Sequence, residues 1–212
     1  IFEIEPYRVA VDLVLRFAAE FREEGLEMTK FSPGGGFAIG YTAGDDPPPI
    51  SAYAEAIIST MTETCQDLSM EMPSLVIEPG RAIIGPAGVA LYRIGAIKEI
   101  PGVRKFVSVD GGMGDNIRPA LYQAEYEVVA ATKVNQDPVE KVTIAGKYCE
   151  SGDLLASDIM LPELVSGDLL AIPAAGAYCP SMASNYNLTP RPPMVLVKDG
   201  KSRLIRRRES YQ

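Results

Sequence analysis

The chain has 212 residues, of which 47% are hydrophobic and 23% charged, a composition that excludes disordered, fibrous and collagen-like proteins. Its formal net charge of −8 disfavours binding to nucleic acids, so we expect no nucleic-acid partner. Three cysteines without metal-ligand spacing, no apolar run of transmembrane length and no signal peptide predict a cytoplasmic protein with no metal site and no membrane partner.

The first part of the chain, residues 1–88, alternates predicted helices and strands. Apolar residues recurring at every fourth position indicate an amphipathic helix that Gly25 ends; they are Val9, Leu13, Phe17 and Phe21. A strand, a helix and a buried strand follow, over residues 28–31, 51–68 and 75–77. This order is typical of the closing units of a parallel (β/α)8 barrel or a doubly wound sheet.

The second part, residues 89–212, consists of short β-rich runs separated by glycine and proline. The runs are VALYRIGAI, KFVSVD, EYEVVAATKV, KVTIAGKY, DLLAIPA, MVLVKDG and SRLIRRR. Several short strands with frequent turn residues predict a mostly antiparallel β-domain.

Two loops that follow predicted strands carry residues suited to an anionic ligand. The consecutive glycines Gly34, Gly35 and Gly36 suit either a tight turn or backbone amides that approach a phosphate. The sequence EPGR, residues 78–81, suits either a type II turn with an incidental pair of charges or part of an anion site. Because barrel enzymes carry their active sites at strand carboxyl ends, we favour one anionic ligand bound by both loops.

Three later segments also carry candidate residues. In DGGMGDNIRPALY, Arg118 and Tyr122 are four positions apart and suit one face of a helical turn, although a surface loop with a buried tyrosine is the alternative. In YCESGD, Cys149 is either a small buried hydrophobe or, beside the acidic Glu150, a proton donor. GAYCPSMASNYN is either a close-packed helix or a helix start that presents Tyr178.

Together, the motifs GGGFAIGY, EPGR, DGGMGDNIRPALY, CESGD and GAYCPSMASNYN resemble, in order and spacing, the later half of the diaminopimelate decarboxylase family. The resemblance implies an α/β plus β fold of the alanine-racemase type, with the closing strands and helices of a (β/α)8 TIM-like barrel before the β-domain. It also implies pyridoxal 5'-phosphate (PLP) as cofactor and decarboxylation of meso-2,6-diaminopimelate to L-lysine and carbon dioxide, in lysine biosynthesis.

The resemblance assigns roles to individual residues. Those implied to bind the cofactor are Gly34, Gly35, Gly36, Glu78, Pro79, Gly80, Arg81 and Tyr178. Those implied to bind the substrate are Arg81, Arg118, Tyr122, Glu150 and Tyr178. Glu78 would face the pyridine nitrogen, and Cys149 would donate a proton after decarboxylation. Cys149 and Glu150 would reach into the partner's site of a homodimer.

The lysine that bonds covalently to the cofactor in this family, and a histidine that stacks on it, belong to earlier barrel strands. We therefore expect the chain alone to be inactive, and its lack of histidine to reflect truncation. Alternatives are a decarboxylase of the same fold acting on ornithine, arginine, lysine or carboxynorspermidine, and a catalytically dead relative that binds a partner. Arg118, Tyr122 and Glu150 favour diaminopimelate, since the ornithine type typically has aspartate in place of Glu150.

Overall fold

The computed structural model describes residues 1–211, and their contacts divide the chain into two units, Ile1–Pro86 and a second that begins at Ala87. Each unit has its own buried apolar core. Within residues 1–211, no helix is both long enough and apolar enough to cross a membrane.

The first unit has the predicted order of helix, strand, helix and strand. Its elements are α1 (Glu5–Glu20), a 3-10 turn (Arg22–Glu24), β1 (Lys30–Phe31), α2 (Ile50–Asp67), β2 (Ser74–Leu75) and α3 (Arg81–Ile84). Strands β1 and β2 pair in parallel, with Lys30 opposite Ser74. Gly25 ends the 3-10 turn in the left-handed region, at a φ of 89°. The order of elements is thus confirmed, whereas the closed barrel stays a prediction.

Helix α1 buries a different face from the one that predicted it. Its buried residues are Tyr7, Val11, Leu15 and Ala18. By contrast, Val9, Leu13 and Phe17 are 57%, 65% and 60% exposed. Both faces are apolar, so the periodicity identified the helix correctly but did not distinguish the face that packs against the core.

The core of the first unit is built around three aromatic rings. Tyr7 stacks on Phe37 at a centroid distance of 5.7 Å and meets Tyr53 edge-on at 5.4 Å. Ile57 and Met61 of α2 complete the same cluster. The predicted strand over residues 75–77 is present but is displaced and shorter, as Ser74–Leu75. Its predicted burial is wrong, because Val76 and Ile77 are 43% and 46% exposed.

The second unit contains a six-stranded sheet and a separate hairpin. The sheet strands are β3 (Ala90–Ile100), β4 (Arg104–Val109), β5 (Val129–Ala130), β6 (Glu140–Ala145), β7 (Leu154–Leu161) and β8 (Leu169–Ile172). Their spatial order is β5-β8-β3-β4-β6-β7, and all neighbours are antiparallel except the parallel pair β4 and β6. The hairpin consists of β9 (Met194–Lys198) and β10 (Lys201–Arg206). The mostly antiparallel β-domain is therefore confirmed.

Strand β7 was not predicted from the sequence. Ser157 and Asp158 interrupt its apolar run, and Asp158 adopts a φ of 57° where the pairing with β6 shifts register. A bulge of this kind breaks the two-residue alternation by which strands are recognised.

Short helices lie between these strands and carry site residues. They are α4 (Arg118–Tyr122), α5 (Cys179–Met182) and a 3-10 turn (Tyr186–Leu188). The predicted helix in residues 176–187 is therefore only a short turn of helix followed by a 3-10 turn.

A carboxylate just before β8 holds several segments of the second unit. Asp168 forms an ion pair with Lys133 at 2.8 Å and accepts hydrogen bonds from the Thr132 hydroxyl and the Val165 N–H. The hydrogen bond from Lys133, followed by that from Val165, lowers the pKa of the Asp168 carboxyl below its ordinary value.

We predict that Leu15→Ala lowers the unfolding free energy of the 212-residue chain by about 2–5 kcal/mol, because it leaves a cavity in the core. The matched control is Leu13→Ala on the same helix, where the side chain is 65% exposed. We expect that control to change the unfolding free energy by less than about 1 kcal/mol. Urea denaturation followed by circular dichroism measures both values, and equal losses would contradict the assignment of the buried face.

We predict that Asp168→Asn lowers the unfolding free energy by about 1–2 kcal/mol at pH 7. Because the folded-state pKa of Asp168 is lowered, its contribution is present above the ordinary value of 3.8 and is lost as the pH falls through the folded-state pKa. The difference between variant and wild type should therefore shrink as the pH is lowered from 7 to below 3.8. Urea titrations across that pH range test this, and a pH-independent difference would contradict it.

Candidate active site

The three-glycine loop and the EPGR loop meet where β1 and β2 end. The Glu78 N–H donates a hydrogen bond to the Gly34 carbonyl at 3.0 Å. The Ser32 hydroxyl accepts one from the Gly34 N–H at 3.1 Å and donates one to the Glu78 carboxylate at 3.2 Å. The structure thus brings the two predicted loops together. Ser32, which was not predicted, links them, and its only sequence signal is its position two residues before Gly34.

The backbone conformation and close packing of the loop require glycine at all three positions. Gly34 and Gly36 adopt φ values of 80° and 85°, in the left-handed region that glycine favours. A Cβ atom on Gly35 would lie 2.0 Å from the Glu78 carbonyl oxygen, so no other residue fits. Among residues 1–211, the N–H groups of Gly35 and Gly36 have no hydrogen-bond acceptor. The loop is therefore a tight turn that also leaves two backbone donors available to an anion.

The core of the first unit holds this loop from behind. The Tyr7 hydroxyl of α1 donates a 2.7 Å hydrogen bond to the Gly35 carbonyl. Burial raises the pKa of Tyr7, so the hydroxyl stays protonated and remains a donor. The peptide between Gly35 and Gly36 is thereby fixed with its carbonyl toward the core.

The EPGR loop is not a type II turn. Gly80 has φ 24° and ψ −85°, whereas the corresponding residue of a type II turn has φ near 80° and ψ near 0°. The chain instead turns directly into α3, and the Ala82 N–H donates to the Pro79 carbonyl at 2.8 Å. Arg81, the first residue of α3, lies with its guanidinium carbon 5.8 Å from the centre of the Tyr41 ring. The start of α3, and not a type II turn, therefore sets the positions of Glu78 and Arg81.

In the second unit, a guanidinium is flanked by two tyrosines. The Arg118 guanidinium carbon lies 5.7 Å from the ring centre of Tyr122 and 5.1 Å from that of Tyr178. The prediction that Arg118 and Tyr122 share a face of one helical turn is confirmed, because both belong to α4. Both tyrosine rings are partly exposed, at 59% for Tyr122 and 39% for Tyr178. The arrangement can present a planar, bidentate donor to a carboxylate.

The CESGD loop presents its thiol to solvent. Cys149 is exposed, so the alternative of a small buried hydrophobe is wrong. The neighbouring Glu150 accepts a hydrogen bond from the Tyr186 hydroxyl, and that bond raises the pKa of Tyr186. Tyr186 was not predicted as a site residue, and its sequence distance from Glu150 leaves no local signal.

One buried carboxylate joins the loop before α4 to the loop of Cys149. Asp153 is 3% exposed and accepts hydrogen bonds from the Met113 N–H at 2.6 Å and the Tyr148 N–H at 2.8 Å. A Cβ atom on Gly112 or Gly146 would lie 2.4 Å or 2.1 Å from a carboxylate oxygen. Burial raises the pKa of Asp153, although the two hydrogen bonds oppose that effect. The loops that position Arg118 and Cys149 thus share one anchor.

A second carboxylate, that of Asp115 in the same loop, ties the loop to strand β3. Asp115 accepts a 2.6 Å hydrogen bond from the Tyr92 hydroxyl and a 3.1 Å bond from the Gly112 N–H. Burial raises the pKa of Asp115, and burial together with the adjacent carboxyl raises that of Tyr92.

The predicted site residues fall into three local groups, around Glu78, Arg118 and Cys149.

Sequence and structure comparisons show the family to which the chain belongs. The family model described as pyridoxal-dependent decarboxylase, C-terminal sheet domain, matches residues 12–176. The chain therefore belongs to the pyridoxal-dependent decarboxylase family, which confirms the resemblance seen in its motifs and agrees with the predicted cofactor.

The proteins similar to this chain include several diaminopimelate decarboxylases. The diaminopimelate decarboxylases of Halalkalibacterium halodurans and Bacillus subtilis are 48% and 46% identical to it, over 100% of this chain and 48% of each relative. The crystal structure of diaminopimelate decarboxylase from M. jannaschii matches with a TM-score of 0.93 and 41% identity, over 100% of this chain and 48% of that one. The chain thus spans about half the length of the relatives it matches.

We predict that Asp153→Asn lowers the unfolding free energy by about 1–3 kcal/mol, because one carboxylate oxygen becomes an NH2 group that faces a backbone N–H. The control, Asp137→Asn, removes the same charge at an exposed position and should change the unfolding free energy by less than about 0.5 kcal/mol. Urea denaturation compares the two variants. Wild-type stability in Asp153→Asn would show that the carboxylate does not anchor the loops.

Proposed function

We propose that the full-length protein containing this chain is a diaminopimelate decarboxylase, which converts meso-2,6-diaminopimelate to L-lysine and carbon dioxide. The observation that carries the proposal is Arg118 held between the rings of Tyr122 and Tyr178, a site for a carboxylate at the far end of an amino acid. The identities of 48% and 46% to diaminopimelate decarboxylases over the whole chain support the same substrate.

The residues of the first unit fit pyridoxal 5'-phosphate. The N–H groups of Gly35 and Gly36 would donate to its phosphate, which approaches closely because the loop has no Cβ atoms. Gly34 shapes the loop, and Pro79 and Gly80 place a further backbone segment beside it. Glu78, held by Ser32, would face the pyridine nitrogen and keep it protonated.

The chemistry that pyridoxal phosphate supplies when bound is an electron sink for the bond that breaks as carbon dioxide leaves. A proton held at the ring nitrogen by Glu78 sustains that sink. Arg81, at the start of α3, would lie close to the anionic groups of cofactor and substrate. Tyr178 would contact the cofactor as well as the substrate.

The second unit would bind the distal end of the substrate. Arg118 and Tyr122 would hold the distal carboxylate, the guanidinium donating two parallel hydrogen bonds. Glu150 would bind the distal ammonium, and its contact with Tyr186 holds the carboxylate in one orientation until the substrate arrives. An amino-dicarboxylate offers groups for both residues, whereas ornithine has no distal carboxylate.

Cys149 would complete the reaction. Its exposed thiol would donate the Sγ proton to the α-carbon from which carbon dioxide has departed. We further propose that the protein is a cytoplasmic homodimer in which Cys149 and Glu150 act in the partner's site, and that residues 1–88 form the closing part of a (β/α)8 barrel. The lysine that bonds to the cofactor would come from outside this chain, so the chain alone would be inactive.

We predict that the full-length protein, supplied with pyridoxal phosphate, releases carbon dioxide from meso-diaminopimelate in preference to ornithine, arginine, lysine and carboxynorspermidine, with L-lysine as product. Cys149→Ala should lower kcat by about 10²–10⁴-fold, the usual contribution of a general acid. Ser151→Ala, in the same exposed loop, is the control and should keep wild-type turnover.

Preference for another amine would leave the cofactor assignment intact and overturn the roles of Arg118, Tyr122 and Glu150. Full turnover in Cys149→Ala would remove the thiol from the mechanism. Absence of carbon dioxide release from every substrate would instead favour a relative that binds a partner.

A further inference from the structure

A line of hydrogen bonds leads from Arg118 into the core of the second unit. The Arg118 Nε–H donates to the Tyr126 hydroxyl at 2.9 Å, and that hydroxyl lies 3.6 Å from the Cys179 sulfur. The Cys179 thiol in turn donates to the Asn116 Oδ1 at 3.4 Å. Tyr126, Cys179 and Asn116 are 4%, 5% and 1% exposed. All three therefore form part of the rigid interior behind the guanidinium.

The direction of these bonds follows from the groups involved. A guanidinium has only donors, so the Tyr126 oxygen must accept from Arg118, and the Tyr126 hydroxyl proton can be directed toward Cys179. Burial raises the pKa of Cys179, so its thiol is protonated at neutral pH and donates onward to Asn116. Asn116 also accepts from the Arg118 backbone N–H at 3.4 Å. The line thus returns to the residue from which it starts.

The ring contacts of Arg118 favour the position of its guanidinium, and the hydrogen bond to Tyr126 fixes its rotation. The rings of Tyr122 and Tyr178 lie against the guanidinium and favour its position, but attraction to a ring face depends weakly on rotation within the guanidinium plane. A hydrogen bond at Nε is directional and fixes that rotation. Bidentate binding of a carboxylate needs the rotation to be correct, because both donors must meet both oxygens.

We propose that Tyr126 is a positioning residue for substrate recognition: its hydroxyl sets the orientation in which the Arg118 guanidinium meets the distal carboxylate. The inference rests on the proposed function, which supplies the amino-dicarboxylate substrate. Because Tyr126 is 4% exposed, it would act on the substrate through Arg118.

The test uses the full-length protein loaded with pyridoxal phosphate and the variant Tyr126→Phe, which removes one hydroxyl and keeps the ring. L-Lysine retains the carboxylate that Arg118 would hold, so its Kd, measured by calorimetry, reports on that contact independently of turnover. We expect the Kd of L-lysine and the KM of meso-diaminopimelate to rise about tenfold, the loss of one charge-assisted hydrogen bond. We expect kcat and cofactor content to stay within about twofold, because Arg118 would hold the end of the substrate opposite the reacting carbon. The matched control is Tyr211→Phe, at a site 83% exposed, which should leave all values unchanged.

A second pair of variants tests whether Tyr126 acts through Arg118. Arg118→Lys keeps the charge but has no N–H at the position of Nε. In that background Tyr126→Phe should have no further effect on the Kd of L-lysine, whereas independent roles would add.

Failure of the inference is distinguishable from failure of the proposed function. A wild-type protein that neither decarboxylates meso-diaminopimelate nor binds L-lysine would overturn both. A wild-type protein that does both, with an unchanged Kd in Tyr126→Phe, would overturn only the inference. If Tyr126→Phe lowered kcat, cofactor content and thermal stability together, the inference would also be overturned. The hydroxyl would then support the fold instead of orienting the guanidinium.

Discussion

The carboxylate of Asp153 receives backbone hydrogen bonds from two loops that are distant in sequence, and the positions of Arg118 and Cys149 depend on that junction. The loops must approach closely for one side chain to reach both. Glycine permits the approach: a Cβ on Gly114 would lie 2.0 Å from the Tyr148 hydroxyl, just as Gly112 and Gly146 leave room for the carboxylate. The glycines of DGGMGD therefore create a closely packed and rigid loop, although such a composition is usually associated with flexibility.

In the first unit, neutral hydroxyl groups hold the loops in place. Tyr7 holds the Gly35 carbonyl from the core side, and the Ser32 hydroxyl joins the glycine loop to Glu78 at the surface. In each unit a side chain that was not predicted as a site residue fixes the backbone of a motif residue. Preorganisation of this kind removes the entropy cost of ordering a loop when a ligand binds.

The sequence allowed prediction of those features that depend on local spacing or on the absence of a side chain. Arg118 and Tyr122 lie on one helical turn because their separation matches the helix, and the glycine loops were recognisable from composition alone. The buried face of α1 was not predictable, because Val9 and Leu13 are as apolar as Val11 and Leu15. The roles of Tyr126 and Asp153 depend on partners brought together only by the folded chain, so no local pattern marks them. Ser32 has only one local signal, its position two residues before Gly34.

The long sequence separation of the site's hydrogen bonds also bears on how the protein folds. Met113 and Asp153 are 40 residues apart, and Asn116 and Cys179 are 63 apart. Closing loops of that length costs chain entropy before any contact forms, and topologies dominated by such contacts fold slowly, in milliseconds to seconds. Arg118 and Cys149 therefore reach their final surroundings only once these long-range contacts have formed. A newly synthesised or partly unfolded chain that lacks these contacts would also lack the arrangement of side chains that recognises a ligand.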